Sequence, residues 1–158
     1  MFRKIKLYIS MIFMLFVMPN FVMANELEQP FTQGEINPYG KFFTGTTYLN
    51  MLVTKDDIWN SSIGNVTFEP NARTNWHTHS GGQILLVTSG KGLYKEEGKP
   101  IRILQKGDVV QIPPDVKHWH GSYPDCWFSH ISVESNIPNN TTTWLEPVND
   151  EQYKSEVK

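Results

Sequence analysis

The chain has five histidines, His77, His79, His118, His120 and His130. Four of them form two H-x-H pairs, in Trp76-His77-Thr78-His79-Ser80-Gly81-Gly82-Gln83 and in Lys117-His118-Trp119-His120-Gly121. Side chains on a β-strand alternate between its two faces, so both imidazoles of such a pair point the same way. Each pair sits beside short apolar stretches, which suggests one inward-facing cluster. Imidazole is the commonest protein ligand for transition metals, and its proton exchange lies near neutral pH. The chemistry that fits is metal binding with proton transfer beside it.

The elements that must position these side chains read as short strands. Residues 65–69 alternate and stop at Pro70, 83–88 form an apolar run that stops at Ser89-Gly90, and 92–95 alternate. Residues 101–104, 109–112 and 127–134 complete the set, with turns at 97–99 and 106–108 and a stop at Pro113-Pro114. Short strands at nearly even spacing, separated by Gly, Pro and Asp, predict an all-β sandwich or barrel. The one helix expected lies in the tail near 150–154, where acidic residues start a short periodic stretch. No internal repeat of the strand block is present. Residues 25–50 are read either as an arm packing on a partner subunit or as an edge strand.

Arg3, Lys4 and Lys6 precede an apolar run, 7–18, that is too short to span a bilayer. Pro19-Asn20 breaks the run, and Val22-Met23-Ala24 suits cleavage after Ala24. Residues 1–24 therefore read as a signal peptide and predict an exported protein, periplasmic or secreted. The remaining 25–158 are read as a single domain with an N-terminal arm and a core at about 60–136. The formal net charge is −2 and no basic stripe exists, which argues against nucleic acid as a partner. Cys126 is the only cysteine, so no internal disulfide forms, and a buried, inert thiol is the expected role. Asn60, Asn65, Asn139 and Asn140 each begin an N-x-S/T pattern, which carries little weight by itself.

The block of 42–153 resembles the cupin superfamily. Its first motif is met by His77-x-His79-x-x-x-Gln83 with Gly90 closing it, and its second by Gly107, Pro113 and His118. Two departures stand out: Gln83 replaces the usual glutamate, and Asp115 stands where glycine is common. Within the superfamily, the phrase Phe68-Glu69-Pro70-x-Ala72-Arg73-Thr74-x-Trp76-His77-Thr78-His79 is similar to that of the cupin-type hydroxynitrile lyases. So are Lys117–Gly121 and the tail phrase around Trp144, Glu146-Pro147-Val148 and Tyr153. Related single cupins carry the label of carboxymuconolactone decarboxylase, a name that does not fix a reaction. The implied fold is a jelly-roll barrel, the double-stranded β-helix.

This resemblance implies His77, His79, Gln83 and His118 as metal ligands. All four are neutral, so a bound ion keeps its full charge and acts as a stronger Lewis acid. Manganese or iron is implied first, and nickel, cobalt or zinc also fit mixed N/O ligation. The resemblance further implies His130 as general base and His120 as an aid to substrate or product binding. The plainer alternative for His130 is an interior histidine bonded to Glu134. In the lyases a neutral amide stands at the Glu134 position, so the role of that carboxyl is open. Trp76 and Trp127 are expected in core packing, and any of Trp76, Trp119, Trp127 or Phe128 facing the lumen would wall an apolar substrate.

Three functions follow as expectations. The first is a metal-dependent carbon–carbon lyase, similar to the hydroxynitrile lyases, acting on a small hydroxylated or carbonyl substrate. The second is a metal-dependent dioxygenase. The third is a non-catalytic cupin that binds a metal or small molecule. A single-copy cupin with open barrel edges is expected to form a homodimer or larger homo-oligomer.

Overall fold

The computed structural model describes residues 28–54, 58–137, 139–155 and 157. The signal-peptide segment read at 1–24 lies outside the described residues.

The described chain is built on antiparallel strands: β1 Glu35–Ile36, β2 Phe43–Thr44, β3 Thr47–Val53, β4 Ser61–Phe68, β5 Arg73–Thr74 and β6 His77–His79. They continue with β7 Gln83–Glu96, β8 Arg102–Gln105, β9 Val109–Ile112, β10 His118–Ser122, β11 Phe128–Ser135 and β12 Thr142–Trp144. A 3-10 turn spans Gly40–Phe42, and α1 covers Asp150–Ser155. One half of the curled sheet runs β1-β3-β4-β11-β7, with β9 also on β7. The other half joins β7 to β8 and β10, and β10 to both β5 and β6. β12 then lies on β6, and β2 on β5.

β7 belongs to both halves, and this corrects the two separate strands expected at 83–88 and 92–95. Its first part pairs with β9 and β11, and its second with β8 and β10. Gly90 bends the strand instead of ending it. Its φ is 72°, and a Cβ there would sit 1.9 Å from the Trp127 carbonyl oxygen. Only glycine admits both the left-handed backbone and this approach. Just before the bend, the register with β11 shifts between Ser129 and His130, a β-bulge beside the histidine cluster.

Of the two readings of residues 25–50, the edge strand is met by β3, and the described stretch before it packs on the chain's own sheet. β3 pairs with β4 near the edge of the sheet. The stretch before β1 lies against the outer face of that sheet, where Gln29 and Thr32 accept hydrogen bonds from Asn65 at 3.2 and 3.1 Å. The helix expected at 150–154 forms as α1. Asn149 Oδ1 accepts from the Gln152 amide at 2.8 Å, and Gln152 Oε1 accepts from the Asn149 amide at 3.1 Å. That reciprocal pair satisfies two of the amides that a helix start leaves free.

Two apolar clusters flank the second half of the sheet. The inner one holds Phe68, Leu85, Val87, Leu104 and Phe128 inside the barrel. The outer one packs Trp76, Leu93 and Trp119 under Val148 and Tyr153 of the tail. Trp119 thus faces out while its neighbours His118 and His120 face in, as period-two alternation requires. Tyr153 locks the tail by donating to the Ser122 carbonyl at 2.8 Å. Trp76 fulfils its expected packing role. Trp127 is half-buried and lies near Tyr48, with ring centroids 6.3 Å apart. Cys126 is half-buried rather than fully enclosed. Two of the N-x-S/T asparagines are closed off: Asn65 and Asn140 are buried and already bonded.

Replacing Gly90 by alanine should cost at least about 2 kcal/mol, since the left-handed backbone and the clash with backbone oxygen add. In thermal unfolding followed by circular dichroism, Gly90→Ala should melt at least ~5 °C below the parent chain. An unchanged midpoint would show that the bend tolerates a side chain.

Candidate metal and proton-transfer site

The register of three strands assembles the cluster. His118 on β10 pairs directly with His77 on β6, and His79 follows two residues on, facing the same way. The ring centroids of His77 and His118 are 4.1 Å apart. The nitrogens that His77, His79 and His118 offer all lie within 4.8 Å of one another. Two nitrogens on one ion stand at most about 4.2 Å apart, so closure asks for shifts of a few tenths of an ångström.

Hydrogen bonds set which nitrogen faces inward. His77 Nδ1 lies 2.9 Å from the Asn75 carbonyl, and His118 Nδ1 lies 2.8 Å from the Val116 carbonyl. A carbonyl only accepts, so each Nδ1 carries the hydrogen and each Nε2 keeps a lone pair. His79 Nδ1 lies 3.1 Å from the Thr142 hydroxyl, which either donates or accepts; when it accepts, Nε2 of His79 keeps its lone pair as in the other two rings. The β12–β6 register places Thr142 opposite His79 and Trp144 opposite His77. One tail strand therefore supports two of the three histidines.

Gln83 arrives across the turn at Gly81-Gly82, as its position in the sequence suggests. Buried Asn140 staples that turn, accepting from the Gly81 amide at 2.9 Å and donating to the Gly82 carbonyl at 2.8 Å. Gln83 Nε2 donates to Ser132 Oγ at 2.9 Å, which fixes the amide orientation. Its Oε1 is buried with no partner, as are the Nε2 atoms of His79 and His118. Each unsatisfied buried polar atom costs about 1–3 kcal/mol. The two stranded imidazole nitrogens lie within 4.8 Å of each other and fit a cation as their missing partner, and the stranded Gln83 oxygen lines the same cavity. The donor set, imidazoles and one amide oxygen, suits a divalent transition ion.

Burial keeps these imidazoles uncharged. It pushes His79 down to about 3 and His118 to about 4, and it takes His77 well below the usual histidine range. Charge on neighbouring histidines acts the same way on His77 and His79. Uncharged nitrogens are what ligation requires.

His120 and His130 meet next to the cluster. His130 Nε2 lies 3.2 Å from His120 Nδ1, and both rings are buried. Burial holds His130 near 4 and His120 well below its ordinary value. One nitrogen of the contact must donate and the other accept. Either arrangement leaves a lone pair at one outer end of the pair and an N–H at the other, which is the form of a proton relay. The bond from His130 to Glu134 does not occur. The two residues share a face of β11 but lie about 13 Å apart along it. Glu134 instead approaches His79, with Oε1 3.6 Å from Nδ1. Burial raises its carboxyl above the usual range, with Gln83 acting against the rise.

These groups open into a cavity of about 310 Å³. Phe43, Leu49, Met51, Val66 and Trp144 give it an apolar side. His77, His79, Gln83, His120 and His130 face them. His118 is fully buried behind that wall. Trp144 was missed as a lining residue by sequence reasoning. It stacks on Phe42 at 4.7 Å and lies 4.8 Å from His77. Its only early signal was the apolar end of an alternating Thr-rich stretch. Trp76, Trp119 and Trp127 are absent from the lining, while Phe128 touches His130 from the core, centroids 5.5 Å apart.

Comparison with known proteins agrees with this arrangement. The cupin domain model matches residues 64–124. The (R)-mandelonitrile lyase of Granulicella tundricola is 41% identical over 113 residues, which span 72% of this chain and 86% of that protein. A cupin-like protein of Thermotoga maritima, known from its crystal structure, is 46% identical with a TM-score of 0.79, covering 83% of this chain and 98% of that one. A double-stranded β-helix protein of Klebsiella pneumoniae shares the fold at 19% identity, with a TM-score of 0.55 over 73% of this chain and 88% of that one. On the strength of that identity and of the shared fold, the chain belongs to the cupin family, in the double-stranded β-helix fold.

Proposed function

We propose that this protein is a metal-dependent carbon–carbon lyase of the hydroxynitrile-lyase kind, acting on a small hydroxylated compound. The observation that carries the reading is the set of stranded lone pairs on His79, His118 and Gln83 beside the His120–His130 pair. The relative named for mandelonitrile cleavage supports the choice of reaction. His77, His79, His118 and Gln83 would hold the ion, manganese or iron in keeping with the family. When bound, the ion supplies Lewis acidity that lowers the pKa of a substrate hydroxyl.

The rest of the chemistry falls to side chains. The cavity's apolar side takes the hydrocarbon part of the substrate and keeps water away. The His120–His130 pair accepts the hydroxyl proton at its free lone pair. The oxygen's electrons then form the carbonyl, the adjacent carbon–carbon bond breaks, and the electron pair leaves with the nitrile carbon as cyanide. The proton returns from the opposite end of the pair to the departing anion. The balance is redox-neutral and uses no oxygen.

Metal analysis of the purified protein, followed by mandelonitrile turnover with and without oxygen, tests the reading. Chelation should abolish cleavage and added manganese or iron should restore it, equally under nitrogen. A requirement for oxygen would assign the site to a dioxygenase instead. Thr142→Val, which removes the hydroxyl that orients His79, should weaken metal affinity by about 10–100-fold in a competition titration.

His130→Ala should lower kcat by about 10²–10⁴-fold while metal content stays at the parent level. Full activity in that variant would remove the histidine pair from the reaction.

Acid should destabilise the metal-free fold. The buried imidazoles titrate at about 3 to 4 or lower when folded, against about 6.5 when unfolded. Between those values the unfolded chain binds more protons, so stability falls as pH drops from about 6.5 towards 4. Urea midpoints measured across that window should decline, and a flat profile would contradict the burial of neutral rings.

A further inference from the structure

The cavity has a third region that the proposed cleavage does not use. Glu134 and Ser132 on β11 and Ser62 on β4 line it together. Glu134 pairs directly with Ser62 across the two strands. Ser132 Oγ accepts the Gln83 amide hydrogen, so the serine's own hydrogen remains free to donate elsewhere. Glu134 approaches His79 and lies on the far side of the cluster from His130. The three side chains are half-buried, and Glu134 also bonds to the Gln83 amide; an apolar substrate seated over them would shut their remaining hydrogen-bonding positions off from water, which costs free energy.

We propose that Glu134, with Ser62 and Ser132, forms a recognition corner for a second hydroxyl, so that the substrate class is polyhydroxylated and not simply apolar. The inference rests on the function proposed above for the identity of the reaction, but not for the recognition itself. A hydroxyl placed one or two carbons from the group held at the histidine cluster donates to Glu134 and accepts from Ser132. Glu134 accepts equally as a carboxylate or through the carbonyl oxygen of the acid form, so the recognition does not depend on its protonation. Leu49 and Met51 on β3 lie over Gly64, beside Ser62 and Ser132 on the same sheet, so a substrate seated here meets hydrocarbon next to the polar corner. A methyl group in place of that hydroxyl shuts these half-buried polar atoms off from water without a partner, which is how a hydrogen-bonding site rejects an isostere.

Two isosteric pairs read this out. The manganese-loaded full chain is titrated with glycerol and with 1,2-butanediol, followed by tryptophan fluorescence, to which Trp144 in the cavity wall contributes. The same protein is assayed for cleavage of the cyanohydrins of glycolaldehyde and of propanal. We expect glycerol to bind about 10-fold more tightly than 1,2-butanediol, and the glycolaldehyde cyanohydrin to show a matching advantage in kcat/KM. Glu134→Met should bring the binding ratio to one or below, and Ser62→Ala, a milder change, should reduce it several-fold. A ratio of one in the parent chain, or a ratio unchanged in both variants, overturns the recognition corner. If the parent cleaves neither cyanohydrin, the lyase reading falls, and the polyol titration still decides the recognition on its own.

Discussion

The structure depends on keeping uncharged imidazoles packed against one another, buried along the wall of one cavity. A charged histidine there would face both desolvation and its neighbours' repulsion, so the site exists only while all five rings stay neutral. Strand register enforces this. β10 pairs with β6 so that His118 meets His77, and with β7 so that His120 meets Tyr94. A slip of one residue would turn both histidines outward and Trp119 inward, exchanging the polar and apolar faces at once. The outer cluster under the tail is therefore part of the site's specification. Trp119 is anchored beneath Tyr153, and that anchoring holds the histidines on either side of it in place.

Several of these features were legible in the sequence because they are local. The H-x-H spacing fixes a common face once the segment is a strand, and the turns after Ile112 and before Gln83 carry their own glycine and proline signals. The helix at Asp150–Ser155 announced itself through the acidic residues of its first turn, and the caps from Asn149 and Gln152 came to light only in the structure. What escaped was long-range pairing. No local pattern says that Thr142 and Trp144 lie opposite His79 and His77, because that register is set by the path of the chain around the barrel. The same holds for the His120–His130 contact, which joins β10 to β11 through the interior of the barrel. Gly90 misled for a related reason. Glycine signals a stop and a bend equally, and only the approach of the Trp127 carbonyl distinguishes them.

The family relation narrows the chemistry without completing it. A barrel of this kind gives a dry interior, lone pairs that converge and a place for an ion, and these parts serve many reactions. The specific contributions come from side chains at the margin of the cluster. With Gln83 where a carboxylate is usual, an ion held by these side chains would keep its full charge and favour anionic or alkoxide-like partners. In the proposed reaction the two outer ends of the histidine pair lie on different atoms, so acceptance and return of the proton need not occur at one position.

Glu134 pulls against that neutrality. It is the one carboxyl among the described lining residues, it stands next to His79, and burial already penalises its charge. A site built only to release an anion gains nothing from such a neighbour, since a negative charge nearby repels the departing group. The residue makes physical sense if something regularly occupies the space beside it and donates a hydrogen bond. Ser62 and Ser132 on the adjoining strands offer the complementary polarity, beside the hydrocarbon of Leu49 and Met51. That mixture of lining groups is thus a constraint on the shape and polarity of what the cavity holds, independent of which bond is broken inside it.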